Sequence, residues 1–315
     1  MEQKIRRRSP FWSLAGPLLG YWGIQLAVQF ILQIVIELPY FMRAYASVMS
    51  GDMTTFDEIM SEYWKIMSPA LEQVLRMQVE ITSVAAVCTL IMTGILFSRD
   101  RKLEKASGLP VWRKAPAGQY WTIGVFGIAG CIGVTCLSIL AQAAFIDAEY
   151  QQAASEMYSA PFLVQLAALG IVIPVAEEMM FRGVMFRRYR ENRSFLFSAI
   201  WSALFFSLMH TNMIQMVYSF LLGVLLAYVY EKFGSVKAPV LLHVLLNTGS
   251  VVFTKLGLFE WMASGFVRIA AGAIAGAFVC SAMFVLIQRM EGAREEQKTD
   301  GQTPPENRRG PLDFF

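Results

Sequence analysis

Two adjacent carboxylates and an arginine interrupt an otherwise apolar stretch of the sequence. Arg182 follows Glu178 by four residues, which puts the two on one helical face in the favourable order. Adjacent side chains lie about 100° apart around a helix, so Glu177 should point away from that pair. Ionisable groups in membrane segments are costly and therefore suggest function. Glu177 is predicted to face a cavity.

The two histidines of the chain also lie in apolar stretches. His210 follows Phe206 by four residues, and His243 precedes Asn247 by four. His243 and Asn247 would share a helical face and could donate hydrogen bonds to a developing oxyanion. The Phe206 ring would wall the His210 imidazole and limit its rotamers. Each feature also has a purely structural interpretation, because buried histidines and helix asparagines often serve packing.

The elements that carry these residues should be membrane helices. Of the 315 residues, 56% are hydrophobic and 16% are charged, and the mean hydropathy is +0.46, a composition that is rare in soluble domains. The apolar runs are close to the roughly 20 residues that cross a bilayer. We predict an all-α, polytopic membrane helix bundle with about eight transmembrane helices, at residues 11–37, 79–97, 121–146, 162–186, 195–212, 214–231, 237–256 and 266–288.

Charged residues between the predicted spans indicate orientation. Basic residues cluster after the second and fourth spans, at 99–114 and 187–193, and near both ends of the chain. The loop after the third span carries Asp147, Glu149 and Glu156 but no lysine or arginine. Both termini are therefore predicted to be cytoplasmic. The formal net charge of +3 is small, and the basic residues lie near the ends of the apolar runs, so no nucleic-acid partner is predicted. The expected surroundings are the lipid bilayer.

The rest of the chain predicts one membrane domain. Residues 1–290 should form a single transmembrane domain, with a motif-bearing core at about 160–256. Apolar residues at helical spacing over residues 54–67 predict an amphipathic helix that lies on the outer membrane surface or caps the bundle. Residues 291–315 are polar and predict a disordered cytoplasmic tail.

The chain length between the motifs predicts that they share a depth. Spans four and five should form a hairpin that turns near residues 192–194, about 16 residues from both Glu177 and His210, or roughly 25 Å. Pro174 should leave the carbonyl of Gly170 without a helical donor, which is tolerated where the backbone lines a watery cavity. Pro239 either does the same before His243 or starts a helix.

Three short motifs, taken in chain order, resemble a known signature. EExxxR at Glu177–Arg182, FxxxH at Phe206–His210 and HxxxN at His243–Asn247 resemble the motifs of the CPBP intramembrane proteases. This is the Abi family, which includes the type II CAAX prenyl endopeptidases. The resemblance covers about residues 160–256, and the sequence has no departure within the three motifs.

The resemblance implies an enzyme, an intramembrane endopeptidase that hydrolyses a peptide bond in a membrane-associated peptide or protein. Glu177 and His210 would activate the attacking water, and His243 and Asn247 would stabilise the oxyanion. The supporting residues would be Glu178, Arg182 and Phe206. The helical architecture favours a multi-pass protein of a bacterial plasma membrane.

The cofactor expectation is none. Zinc or another divalent cation is the alternative, with Glu177, His210 and His243 as ligands, which would make the protein a metalloendopeptidase. HExxH spacing is absent. Because His243 and Asn247 are better explained as hydrogen-bond donors, a metal-free glutamate mechanism is preferred.

Two other functions remain open at this stage. A non-catalytic membrane scaffold or bacteriocin-immunity protein could use the same fold to bind a peptide, although it would have no need of every catalytic residue. A proton-coupled or cation transporter would also bury Glu, His and Arg, but the sequence lacks matched broken helices in two repeated halves.

Overall fold

The computed structural model describes residues 10–51, 53, 55–106, 112–144, 160–210 and 212–290. Over these residues the chain is helical and contains no β-strand, which confirms the all-α prediction. A 3₁₀ turn, Ala117–Tyr120, precedes α4. The helices are α1 (Pro10–Ser50), α2 (Phe56–Arg76), α3 (Gln78–Ala106), α4 (Trp121–Ala144), α5 (Phe162–Asn192), α6 (Phe195–Ser207), α7 (Met213–Phe233), α8 (Lys237–Lys255), α9 (Leu258–Ala263) and α10 (Phe266–Gln288).

Seven helices of the described part of the chain are long and apolar enough to cross a membrane, namely α1, α3, α4, α5, α7, α8 and α10. The protein is therefore a polytopic membrane helix bundle, as predicted from its composition. The predicted tail at 291–315 lies outside the described residues. The orientation of the termini stays a prediction.

The fifth predicted span, 195–212, is shorter in the structure. Helix α6 ends at Ser207 after 13 residues, about 20 Å long, whereas the hydrocarbon core is about 30 Å thick. After Ser207 the chain forms a turn, in which the N–H groups of Met209 and His210 bond to carbonyls three residues back. Asn212 is then extended, and its side chain accepts a hydrogen bond from the backbone N–H of Gln215 at 2.7 Å. This N-cap starts a new helix at Met213. The signal was present in the sequence as an asparagine three residues before a glutamine.

Helices α1 and α2 form an antiparallel hairpin. The Tyr40 hydroxyl donates to Gln73 at 2.8 Å, and the Ser47 hydroxyl donates to Glu62 at 3.0 Å. Residue numbers rise along α1 as they fall along α2, which defines the antiparallel direction. Helix α2 covers residues 56–67 of the predicted amphipathic segment and continues nine residues beyond it, to Arg76. Its position on the outer membrane surface stays a prediction.

Buried ion pairs join α3, α5 and α7 near the end of α5. Arg188 contacts Asp100 at 2.6 and 3.0 Å, and both residues are buried. Arg187 pairs with Glu104 and donates to the Tyr230 hydroxyl at 2.6 Å. Breaking a buried pair leaves an uncompensated charge, at a cost of about 3–5 kcal/mol. These pairs therefore fix the level of α5 against its neighbours.

Small residues let α4 pack closely against α8, the helix that carries His243, and against α10. A Cβ atom added at Gly127 would lie 2.7 Å from the Cβ of Leu245 in α8. A Cβ atom added at Gly276 of α10 would lie 2.6 Å from the Cα of Gly133. Close backbone approach of this kind is typical of helices packed in membranes, and it fixes where α8 stands.

Candidate active site

Helix α5 carries its two glutamates on a short α-helical segment. The segment Ile173–Glu178 lies between two π-helical stretches, Ala168–Val172 and Met179–Phe186. π-Helical turns are rare and occur frequently at functional sites. Pro174 stands at the change of register and has no N–H to donate. The irregular backbone therefore coincides with the motif.

Helix α8 supplies the donors that this irregular segment needs. Nδ2 of Asn247 donates to the carbonyl of Leu169 at 3.2 Å, and Oγ1 of Thr248 donates to the carbonyl of Gly170 at 3.1 Å. The second contact agrees with the expectation that Pro174 frees the Gly170 carbonyl. Pro239 lies in the first turn of α8, three residues after the cap Val236, so it takes the helix-start role that was one of its two alternatives.

The predicted pair of Glu178 and Arg182 is present and fully buried. Nη1 of Arg182 donates to Oε1 of Glu178 at 2.7 Å, and neither side chain is exposed. Nη2 of Arg182 donates to the carbonyl of Gly223 in α7 at 3.1 Å, and its guanidinium carbon lies 4.5 Å from the centre of the Phe206 ring. The pair thus joins α5 to both α6 and α7.

His243 lies between the two glutamates. Its Nδ1 is 3.0 Å from Oε1 of Glu178, and its Nε2 is 3.8 Å from Oε2 of Glu177. The first contact is a hydrogen bond, whereas the second is too long for one. Glu178 therefore does more than pair with Arg182, because the same oxygen, Oε1, receives both neighbours.

The ring of Phe206 packs against both imidazoles. Its centroid is 5.4 Å from that of His210 and 5.8 Å from that of His243, with both pairs edge to face. The expectation that Phe206 walls His210 agrees with this packing. Among the described side chains, the ion-pair contact of Glu177 is with His243. Glu177 and His210, which were predicted to hold the water together, are not in direct contact in the described structure.

His210 lies in the turn after α6 and not on a membrane helix as predicted. Its backbone N–H bonds to the carbonyl of Ser207 at 3.0 Å, which closes a turn. The buried Nδ1 of His210 has no hydrogen-bond partner among the described residues. A residue in a turn, unlike one inside a helix, is not flanked by further helical turns, so the His210 side chain can remain partly exposed.

Exposure divides the cluster into a buried part and an accessible part. Glu178 and Arg182 are inaccessible and His243 is 4% exposed, whereas the Glu177 side chain is 15% exposed. Asn247 and His210 are also partly exposed. The buried carboxylate can orient a neighbouring ring, and the accessible carboxylate can exchange a proton with water. This arrangement suits general acid–base chemistry.

The proposed metal ligands do not form a metal site. Within the described ranges, no group of three or more His, Cys, Asp or Glu side chains is arranged to hold a metal ion. Nδ1 of His243 is held by Glu178, and the Glu177 contact uses its Nε2. The set Glu177, His210 and His243 is not among such groups in the described residues, and the choice between a metal-free and a metal-dependent mechanism stays a prediction.

The match to a protein family covers this part of the chain. Residues 159–249 match the family described as type II CAAX prenyl endopeptidase Rce1-like. The match is confined to the motif-bearing region. It contains Glu177, His210, His243 and Asn247, so the family resemblance expected from the three motifs is confirmed.

A curated relative carries a compatible name. A protein of Bacillus subtilis (strain 168), "Putative membrane peptidase YdiL", is 26% identical over 139 residues. The alignment covers 44% of this chain and 54% of the relative, so the chain spans about half the length of the curated protein that it matches. No solved structure matches the chain at a significant level.

Sequence reasoning missed three contributors to the candidate site. The carbonyl of Gly223 accepts a hydrogen bond from Arg182, and the carbonyl of Leu169 accepts one from Asn247. The hydroxyl of Thr248 donates a hydrogen bond to the carbonyl of Gly170 in α5. Backbone acceptors leave no mark of residue type. Thr248 carried one weak signal, because it directly follows the HxxxN motif.

Proposed function

We propose that this protein is an intramembrane endopeptidase that hydrolyses a peptide bond in a membrane-associated peptide or protein, with Glu177 as the general base. The observation that carries the proposal is the position of His243, 3.0 Å from Glu178 and 3.8 Å from Glu177. The match of the motif-bearing region to an endopeptidase family supports the same reaction class.

The chemistry follows from these groups. A water bound by Glu177 and His210 gives a proton to Glu177 while its oxygen attacks the substrate carbonyl carbon. The carbonyl oxygen becomes an oxyanion that accepts from His243 and Asn247. The C–N bond then breaks, and Glu177 returns the proton to the leaving amine. A positioned base contributes about 10²–10⁴-fold, and one oxyanion donor about 10²–10³-fold.

The two proposed oxyanion donors, His243 and Asn247, each make a hydrogen bond to α5 that orients the side chain. Glu178 accepts from Nδ1 of His243, so Nε2 donates to the oxyanion when the ring carries a proton on each nitrogen. Asn247 gives one of its two N–H groups to Leu169, which leaves the other for the oxyanion. No step of this mechanism passes through a metal ion.

The substrate class follows from the surroundings of the site. Because the chain is a multi-pass membrane protein, we propose that it acts on a peptide segment that reaches the site from the cytoplasmic side. A bacterial plasma membrane fits the Bacillus subtilis relative. The family description names a prenyl endopeptidase, so a farnesylated peptide and the same peptide without its prenyl group should be compared directly.

A comparison of cleaved termini tests the proposal. Membrane peptides and new protein termini would be compared between cells that express the wild-type protein and cells that express Glu177→Gln. We expect termini that depend on the wild-type protein and disappear with Glu177→Gln. The matched control is Glu260→Gln, which changes an exposed carboxylate of α9 and should retain every product.

The opposite result has a clear meaning. If the same termini form with Glu177→Gln, the protein does not use this carboxylate for hydrolysis, and the non-catalytic scaffold or immunity function gains support. A quenched fluorescent peptide that contains the identified cleavage sequence, called the reporter peptide below, then provides rates for purified protein.

A further inference from the structure

Two neighbouring residues of α8 donate to two neighbouring carbonyls of α5. Asn247 serves Leu169 and Thr248 serves Gly170, at 3.2 and 3.1 Å. The bonds lie before the glutamates in sequence, on the π-helical stretch that precedes Pro174. Their pairwise register suggests that they compensate one defect in the α5 backbone.

Pro174 accounts for that defect. The N–H of Ile173 bonds to the carbonyl of Ala168, five residues back, so in the same π register residue 174 would serve Leu169. In the α register residue 174 would serve Gly170 instead. Proline has no N–H, so both registers fail at this residue, and an unpaired carbonyl is costly at membrane depth.

We propose that Thr248 is a positioning residue for the active site. Together with Asn247 at Leu169, its hydroxyl at Gly170 replaces the N–H that Pro174 lacks and holds the α5 turn that orients Glu177 and Glu178 toward His243. The inference rests on the function proposed above for those three residues.

The close packing at Gly170 supports a specific contact between its carbonyl and the Thr248 hydroxyl. A Cβ atom there would lie 2.8 Å from Oγ1 of Thr248 and 3.4 Å from its Cα. The absence of a side chain at Gly170 therefore lets the hydroxyl reach the carbonyl.

Two residues of α8, five positions apart, contact α5 at two separate levels. Thr248 binds at Gly170, and His243 binds at Glu178, eight residues or about 12 Å further along α5. The ion pairs near the end of α5 already fix its level against α3 and α7. The two contacts with α8 add a constraint on its rotation, which bears on the direction of the glutamates.

Substitutions at Thr248 test the role of its hydroxyl. Thr248→Val keeps the shape and removes the donor, Thr248→Ser keeps the donor, and Thr254→Val is a matched control at an exposed site on the same helix. For the reporter peptide we expect Thr248→Val to lower kcat about tenfold and to change KM less than about twofold. Thr248→Ser and Thr254→Val should stay near the wild-type values.

Pro174→Ala provides the decisive second variant. It restores a backbone N–H next to the carbonyls that α8 serves, so Thr248→Val should cost little in a Pro174→Ala background. The proposal is overturned if Thr248→Val keeps its kcat, or if the effects of the two substitutions simply multiply. If Thr248→Val fails to fold alone but folds with Pro174→Ala, that rescue supports the proposal.

Hydrogen–deuterium exchange separates this inference from the proposed function. Thr248→Val in detergent should accelerate amide exchange over residues 169–178, and Pro174→Ala should reverse the change, whereas Thr254→Val should have no effect. If Glu177→Gln still cleaves, the proposed function fails, yet the exchange result still tests the contact. Unchanged exchange in Thr248→Val overturns the inference even if Glu177→Gln is inactive.

Discussion

Nδ1 of His243 lies 3.0 Å from Oε1 of Glu178, the oxygen that also accepts from Arg182 at 2.7 Å. One carboxylate oxygen therefore links an arginine of its own helix to a histidine of another. Because Glu178 is inaccessible, these neighbours replace the water that would otherwise solvate its charge. Among the described residues, the ion-pair contact of the adjacent Glu177 is the longer one of 3.8 Å with His243, and its side chain remains partly exposed.

Removal of one partner of the buried pair should destabilise the protein more than removal of both. Glu178→Ala leaves the Arg182 charge uncompensated, and we expect a loss of about 3–5 kcal/mol in the free energy of unfolding. The double variant Glu178→Ala with Arg182→Met removes both charges and should recover part of that loss. Thermal unfolding in detergent measures both, and an additive double variant would contradict the pairing.

Replacement of His210 should reduce catalysis and leave the fold largely intact. His210→Ala removes an imidazole whose Nδ1 has no hydrogen-bond partner in the described structure, so the melting temperature should change little. The proposed role in water activation predicts a fall in kcat of about 10²–10⁴-fold on the reporter peptide. Leu208→Ala, at an exposed position of the same turn, is the control. Normal turnover by His210→Ala would exclude this role.

Chelation should not reduce activity. We expect purified protein to cleave the reporter peptide at the same rate before and after dialysis against 1,10-phenanthroline, because the base and donors of the proposed mechanism are side chains. Elemental analysis of the same preparation checks for stoichiometric zinc. Activity lost on chelation and restored by zinc would establish the metalloendopeptidase alternative with Glu177, His210 and His243 as candidate ligands.

A methyl group at Gly223 should disturb the buried arginine. A Cβ atom there would lie 2.8 Å from the Cβ of Ala203 and 3.1 Å from Nη2 of Arg182. We expect Gly223→Ala to destabilise the protein by about 1–3 kcal/mol, because α6 and α7 must separate. Gly23→Ala is the control, since its added Cβ would meet no atom within 4 Å, and alanine favours a helix. Equal melting temperatures for the two variants would argue against close packing here.

The sequence was sufficient for seven of the eight predicted spans, because hydrophobic length is a local property. Apolar runs and charged boundaries predicted the membrane helices, and the hairpin turn expected near residues 192–194 lies between Asn192 and Phe195. The pair of Glu178 and Arg182 was also predictable, since a separation of four residues determines which side chains share a helical face. The three motifs pointed to the family that matches the chain.

The contacts between helices were decided only in the tertiary structure. Periodicity placed Glu177 and Glu178 on different faces, but it could not show that His243 lies between them, because that depends on how α8 packs against α5. It placed His210 on a helix, whereas α6 ends at Ser207 and Asn212 caps the next helix. The carbonyls of Leu169, Gly170 and Gly223 look alike in any sequence, and only packing shows which side chains they bind.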